Sequence, residues 1–207
     1  MTEYNDKQMK ILQVAEKLFA EKGYDGTSIR NISKEAKINI AMISYYFGSK
    51  EKLLEALIFF RTSDLKMKLE SLIVEDISPL EKINKLIDYY VTKINCNKGI
   101  YQILHFEFSS KKRTMDYKSF SEVKRVNLIS LEKIVHDGQE KGIFQKNVNI
   151  ALIPPTILGT FFHFNTNRPF YENLLGLNTD EKFDNYINNE LITHIQQTIK
   201  ALLIYES

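Results

Sequence analysis

Between Thr27 and Lys50 the chain reads TSIRNISKEAKINIAMISYYFGSK, a stretch with an unusual set of polar groups for two short helices. Thr27 and Ser28 are adjacent hydroxyls at a helix start, Arg30 follows within a turn, and Tyr45, Tyr46 and Lys50 close the segment. A helix start carries free backbone N–H groups and the positive end of the dipole, and hydroxyls placed there help to hold phosphate. Phenol and ammonium groups at the far end of the next helix are suited to donate to further phosphates. The chemistry these types offer is non-covalent recognition of a phosphate backbone flanking a groove. Tyrosines at helix ends are also ordinary packing residues and three-helix units also occur in cores, so the pattern alone leaves both readings open.

These groups need elements to position them. Over Asp6–Lys22 the apolar residues Met9, Ile11, Leu12, Ala15, Leu18 and Phe19 follow the three-and-four spacing of an amphipathic helix, and Gly23 ends it as a left-handed cap would. YDGTS is a turn, with Thr27 or Ser28 as the next N-cap. Ile29, Ile32, Ser33 and Ala36 form an inner face, Lys37-Ile38-Asn39 interrupts it, and Asn39 caps a third helix from Ile40 to Phe47. Two short helices around a three-residue turn, braced by a longer one, make a helix-turn-helix unit whose last helix enters the DNA major groove. Asn39, Ala41, Met42 and Ser44 are then expected to face base edges, and Thr27, Ser28, Tyr45, Tyr46 and Lys50 to meet phosphates. Arg30, Lys37 and Ile40 complete the expected DNA-binding set.

Residues 9 to 54 resemble the N-terminal domain of the tetracycline-repressor (TetR) family of bacterial regulators. LFAEKGYDGTSIRNIS and ISYYFGSKEKLL follow that family's order and spacing: Gly-Tyr-x-x-Thr-Ser-x-Arg-x-Ile-Ala, a turn, then Tyr-Tyr-Phe-x-Ser-Lys-Glu-x-Leu. Three positions depart from it. Lys37 stands where the turn usually has glycine, Ser33 replaces an alanine, and Ser44 replaces a frequent tyrosine. A lysine forced to positive φ in that turn would cost roughly 1 kcal/mol.

The chain has 207 residues and a net charge of +2, too small to announce a nucleic-acid binder, so the argument rests on local charge placement. Its single cysteine, Cys96, excludes an internal disulfide and a multi-cysteine zinc site. No signal-like start and no apolar run long enough to cross a bilayer is apparent, which reads as cytoplasmic. Helical spacing recurs throughout and period-two alternation is absent, so the fold class is all-α, with a DNA-binding domain over 1–50 and a larger helical effector-binding and dimerisation domain over 51–207. In the latter, helices are expected from Lys50 to Leu72, from Pro79, over a short segment after Gly99, from Met115 to Lys141, from Ala151 to Leu175 with a break near Pro169, and from Asp180 to Tyr205. KKRT, before Met115, reads as a basic exposed link.

The last helix carries Phe183, Ile187, Leu191, Ile195 and Ile199 at four-residue spacing. A core helix would look the same; the resemblance implies instead that this stripe is the interface of a homodimer reading two half-sites. Tyr101, His105, Phe106, Phe120, Phe161 and Phe162 concentrate aromatic area, and the resemblance implies a pocket there for an apolar or aromatic small-molecule effector. No phosphate loop, nucleophile elbow or paired-histidine zinc helix is present, so neither an enzyme nor a cofactor or metal is expected. The reading is a ligand-responsive repressor binding an inverted-repeat operator in double-stranded DNA. The alternatives are a helical small-molecule carrier or enzyme whose head is only structural, and a family member that activates or organises DNA without an effector.

Overall fold

The computed structural model describes residues 4–99, 101, 103 and 117–204, and among these every regular element is helical. Helix α1 spans Asp6–Lys22. It opens on a reciprocal cap, in which the Asn5 side chain accepts from the Gln8 N–H and the Gln8 side chain from the Asn5 N–H, each at 3.0 Å. Gly23 does take a positive φ of 72°, but its ψ of 168° is extended, so the chain leaves the helix without a left-handed turn. Helices α2 (Ile29–Ala36), α3 (Ile40–Phe47) and α4 (Lys50–Val74) follow. Ser28 is the N-cap of α2 and Asn39 that of α3.

The chain divides into two compact units, Met1–Asp64 with Asn97–Glu122, and Leu65–Cys96 with Val123–Ser207. The boundary expected at residue 50 lies inside the first unit. The reason is that Leu53, Leu54, Leu57 and Ile58 of α4 are buried in one cluster with Ile11, Leu12, Ala15, Leu18 and Phe19 of α1, Ile32 of α2, and Ile43 and Phe47 of α3. The part of α4 up to Asp64 therefore belongs with the helices it covers, and the part from Leu65 belongs to the second unit. A bidentate ion pair between Arg61 of α4 and Glu16 of α1, with Nε 3.1 Å from both carboxylate oxygens, fixes the same pairing.

The second unit holds α5 (Pro79–Cys96), most of α6 (Tyr117–Glu140), a 3₁₀ turn at Ile150–Leu152, α7 (Ile153–Thr166), α8 (Arg168–Leu175), α9 (Asp180–Tyr186), a π turn at Ile187–Leu191 and α10 (Ile192–Leu203). Pro154 and Pro155 sit in the first turn of α7, where a helix needs no N–H donor. The break expected near Pro169 falls at Asn167, whose N–H bonds to His163 O, and Pro169 lies in the first turn of α8. α5 packs against α7 and α10. Phe164 of α7 is stacked among Tyr171, Phe183 and Tyr186, with ring centroids at 4.5, 5.1 and 5.4 Å. The Arg168 guanidinium covers Phe183 at 4.5 Å while bonding Glu172 and Asp180.

The four-spaced stripe corrects the expected dimer interface. Phe183, Ile187, Leu191, Ile195 and Ile199 are 0%, 0%, 6%, 1% and 0% exposed within a single chain. They are the protomer's own core and offer no surface to a second copy. The expected segment after Gly99 and the KKRT link lie outside the described residues, apart from isolated helical positions at Tyr101 and Ile103. Among the described residues no helix is long and apolar enough to cross a membrane.

Candidate nucleic-acid interface

α3 is too short to be stable alone, as isolated helices under a dozen residues are marginal in water. It is held by Ile43 (1% exposed) and Phe47 (8%), which anchor it in the first unit's core. Fixing those two positions decides what faces out. Ile40, Ala41, Ser44 and Tyr45 are exposed, Tyr45 by 84%, and the exposed Asn39 side chain accepts from the Ala41 N–H at 2.9 Å. Met42 and Tyr46 are half-buried. The outward face is therefore Asn39, Ile40, Ala41, Ser44 and Tyr45, a narrower surface than the sequence suggested.

At α2 the Ser28 hydroxyl accepts from the Asn31 N–H (3.1 Å) and the Asn31 side chain from the Ser28 N–H (3.0 Å). That leaves the Ile29 and Arg30 amides as first-turn donors with no intrahelical acceptor, beside the exposed Ser28 and Arg30 side chains. Lys37 closes α2 in the left-handed region at φ 55°, ψ 42°, with its side chain exposed. The turn therefore keeps the geometry that favours glycine. Its amide bonds to the carbonyls of Lys34 and Ser33, Ile38 N–H reaches Ser33 O at 3.1 Å, and the Ser33 hydroxyl donates to Ile38 O at 2.6 Å.

Two expected phosphate donors face inward. Thr27 is 1% exposed, and its hydroxyl lies 3.0 Å from Leu18 O and 2.9 Å from Gly23 O, where it caps the end of α1. The half-buried Lys50 directs its ammonium at the Tyr24 carbonyl (3.0 Å) and the Thr27 carbonyl (2.8 Å), and sits 4.1 Å from the centroid of the Tyr24 ring. The Tyr24 hydroxyl in turn donates to the Glu51 carboxylate at 2.8 Å. Glu51's own backbone N–H, and then that hydroxyl, hold its carboxyl below the ordinary glutamate range. Tyr24 and Glu51 were not singled out from sequence; the signal was the tyrosine and threonine three apart in GYDGT, at the spacing of one buried turn.

The expected effector set is divided. Phe161 (1% exposed) meets the half-buried Phe162 edge to face at 5.7 Å in the second unit, whereas Tyr101 packs on the core of the first. His105, Phe106 and the side chain of Phe120 lie outside the described residues. Within the second unit, Asn95 and Asn127 each bury a side-chain oxygen without a partner among the described residues, and burial pushes the Tyr90 hydroxyl up to about 12. Sequence spacing gave no sign of these positions, because a polar residue on a mixed helix reads as exposed until the packing around it is known.

A helix-turn-helix head whose second helix projects a solvent-facing surface of mixed polar and apolar groups, joined to a second helical unit, defines a DNA-binding regulator. The chain belongs to the tetR family of bacterial regulatory proteins: that model matches residues 11–57, and the tetracyclin repressor-like C-terminal domain matches residues 79–196. It is similar to the HTH-type transcriptional repressor NicS of Pseudomonas putida, 28% identical over 186 residues that cover 83% of this chain and 82% of that protein. The fold is shared with the fatty acid degradation regulator FadR from Bacillus halodurans, at a TM-score of 0.72, 21% identity and 96% coverage of both chains. It is shared too with FadR from Bacillus subtilis, solved in complex with stearoyl-CoA, at a TM-score of 0.66, 19% identity and coverage of 96% and 98%.

Proposed function

We propose that this transcriptional regulator is a ligand-responsive repressor that binds an inverted-repeat operator as a homodimer. The observation that carries the reading is the rigid mounting of α3, with Ile43 and Phe47 buried and Asn39, Ile40, Ala41, Ser44 and Tyr45 turned outward. Such a face reads base edges, while Ser28, Arg30 and the open amides of α2 take phosphate oxygens. Lys37, exposed at the turn between the two helices, adds charge beside the groove.

With the final stripe buried, the dimer falls to the remaining exposed face of the last helices. On α7 and the turn before it, Leu152, Pro155 and Gly159 are exposed with Phe162 half-buried between turns, and on α10 Thr193, His194 and Gln197 are exposed. Gly159 has open space where a side chain would begin, which suits close approach of a partner helix.

The effector is a mostly apolar molecule held in the second unit near Phe161 and Phe162. A polar group on it would suit the same unit, where Asn95 and Asn127 bury side-chain oxygens that no described residue pairs. Stearoyl-CoA, bound by the B. subtilis relative, has this mixed character. The test is titration of duplex DNA from mapped genomic sites over a range of salt, with and without effector. Binding should weaken steeply with salt, and effector and DNA should each weaken the other by the same factor, a coupling of roughly 1–3 kcal/mol. Salt-independent or absent duplex binding would remove the regulator reading in favour of a carrier.

A further inference from the structure

Lys50 opens α4 in a position that the sequence pattern assigns to a DNA phosphate. Its surroundings assign it another task. A lysine ammonium has three donors. Here two of them reach main-chain carbonyls of the α1–α2 loop, at 3.0 Å from Tyr24 O and 2.8 Å from Thr27 O, and the nitrogen lies against the face of the Tyr24 ring at 4.1 Å. The ring is itself fixed on both sides: it stacks on Phe19 of α1 at 5.3 Å, and its hydroxyl is held by Glu51, the next residue of α4. Thr27 is held to α1 by its hydroxyl, as described above. The loop residues Tyr24 and Thr27 are therefore gripped from α1 and from α4 at once. Ser28, the residue directly after Thr27, is the cap of α2 and the start of its phosphate-facing end.

We propose that Lys50 is a positioning residue, an ammonium latch that joins the first turn of α4 to the Tyr24–Thr27 carbonyls and so sets where the N-terminus of α2 presents its amides, Ser28 and Arg30 to a phosphate. Three features distinguish a latch from a direct contact. Charge-assisted bonds to carbonyls are among the stronger protein hydrogen bonds, so they are formed in the free protein and need no DNA to exist. A tyrosine face beneath the ammonium adds a cation–π attraction that holds the amine against the loop. Finally, Lys50 and Glu51 are neighbours, so α4 grips both the carbonyl and the ring end of Tyr24. Any displacement of the start of α4 is thereby passed to the phosphate-facing end of α2 through a few bonds, without involving α3.

The inference rests on the DNA-binding reading, but its first test does not use DNA. Lys50→Met keeps the aliphatic stem over Tyr24, so the unit stays packed, and removes only the ammonium. In the full chain without DNA, hydrogen exchange of the Thr27 amide, which bonds to Tyr24 O at 3.2 Å, should accelerate by about tenfold or more in this variant. Arg30→Ala, on the exposed side of α2, should leave that exchange unchanged. Unaltered Thr27 exchange in Lys50→Met would overturn the latch and return Lys50 to the phosphate. In the second test, Lys50→Met should lower affinity for operator and for unrelated duplexes alike, and Lys50→Arg, which restores a cation over the same carbonyls, should recover most of it. If exchange loosens but DNA affinity holds, the latch is structural only and the positioning role is wrong. Should the wild-type chain bind no duplex at all, the regulator reading fails while the exchange result still decides the latch.

Discussion

Lys37 bears the backbone strain of the reading head. At φ 55°, ψ 42° it is the single non-glycine residue with positive φ among those described. An L side chain there costs about 1–2 kcal/mol, of which glycine's extra freedom in the unfolded chain would take back roughly 0.5–1 kcal/mol. Lys37→Gly should therefore stabilise the protein by about 0.5–1 kcal/mol, seen as a melting temperature higher by roughly 1–4 °C. A lower melting temperature would mean that the lysine side chain makes a compensating contact. Ser33 shows how the strain is tolerated, since its hydroxyl closes the same turn onto Ile38 O. Glu51 gives a second residue-scale expectation. Its folded carboxyl is held below the ordinary range, so its contribution is present above the unfolded value near about 4.3 and is lost as pH falls through the folded value. The melting temperatures of wild type and Glu51→Gln should differ at pH 6 and converge as pH drops below about 4. A gap that persisted in acid would mean that the carboxylate charge is not what holds Tyr24.

The final helix is where element geometry answers the sequence. Residues at strict four-residue spacing drift about 40° per step around an α-helix of 3.6 residues per turn, and would soon leave the core. The π turn at Ile187–Leu191 absorbs part of that drift by widening the helix for one turn, and all of Phe183, Ile187, Leu191, Ile195, Ile199 and Leu203 remain buried. Ile195→Asp should therefore unfold the second unit rather than release two intact protomers, because it buries an unpaired charge in a packed protomer core. Circular dichroism and size measurement separate the outcomes: a folded monomer would restore the stripe as an interface, whereas lost helicity supports the core assignment.

At the scale of the whole molecule, the proposed two-fold pairing would use a face that the protomer core leaves free. Gly159 is the most direct probe, since a Cβ there meets nothing within 4 Å in the protomer. Gly159→Arg should leave the far-ultraviolet spectrum intact, shift the protein to monomer in light scattering, and lose operator affinity because two half-sites are no longer read together. If the variant remained dimeric with full affinity, pairing would use another face, with Phe170 and Leu174 of α8, each 61% exposed, the next to consider.

By itself the sequence determined the all-α class, the bounds of α1, α3 and the start of α4, and the family. Caps such as Asn39, the apolar spacing of α1 and the GYDGTS and YYFGSK runs are local signals, set by residues within a turn or two of one another. It also identified Lys37 as the strained position, because backbone conformation in a tight turn is local too. Which side of a polar group faces out was not local. Thr27 and Lys50 have the residue types of phosphate donors, and only the packing of α1, α2 and α4 around Tyr24 directed both inward, Thr27 to the end of α1 and Lys50 to carbonyls distant in sequence. The same holds for the last helix: an apolar stripe at helical spacing looks identical whether it meets α5 and α7 of its own chain or a second copy. Burial against specific partners, fixed by the tertiary structure, decided between them.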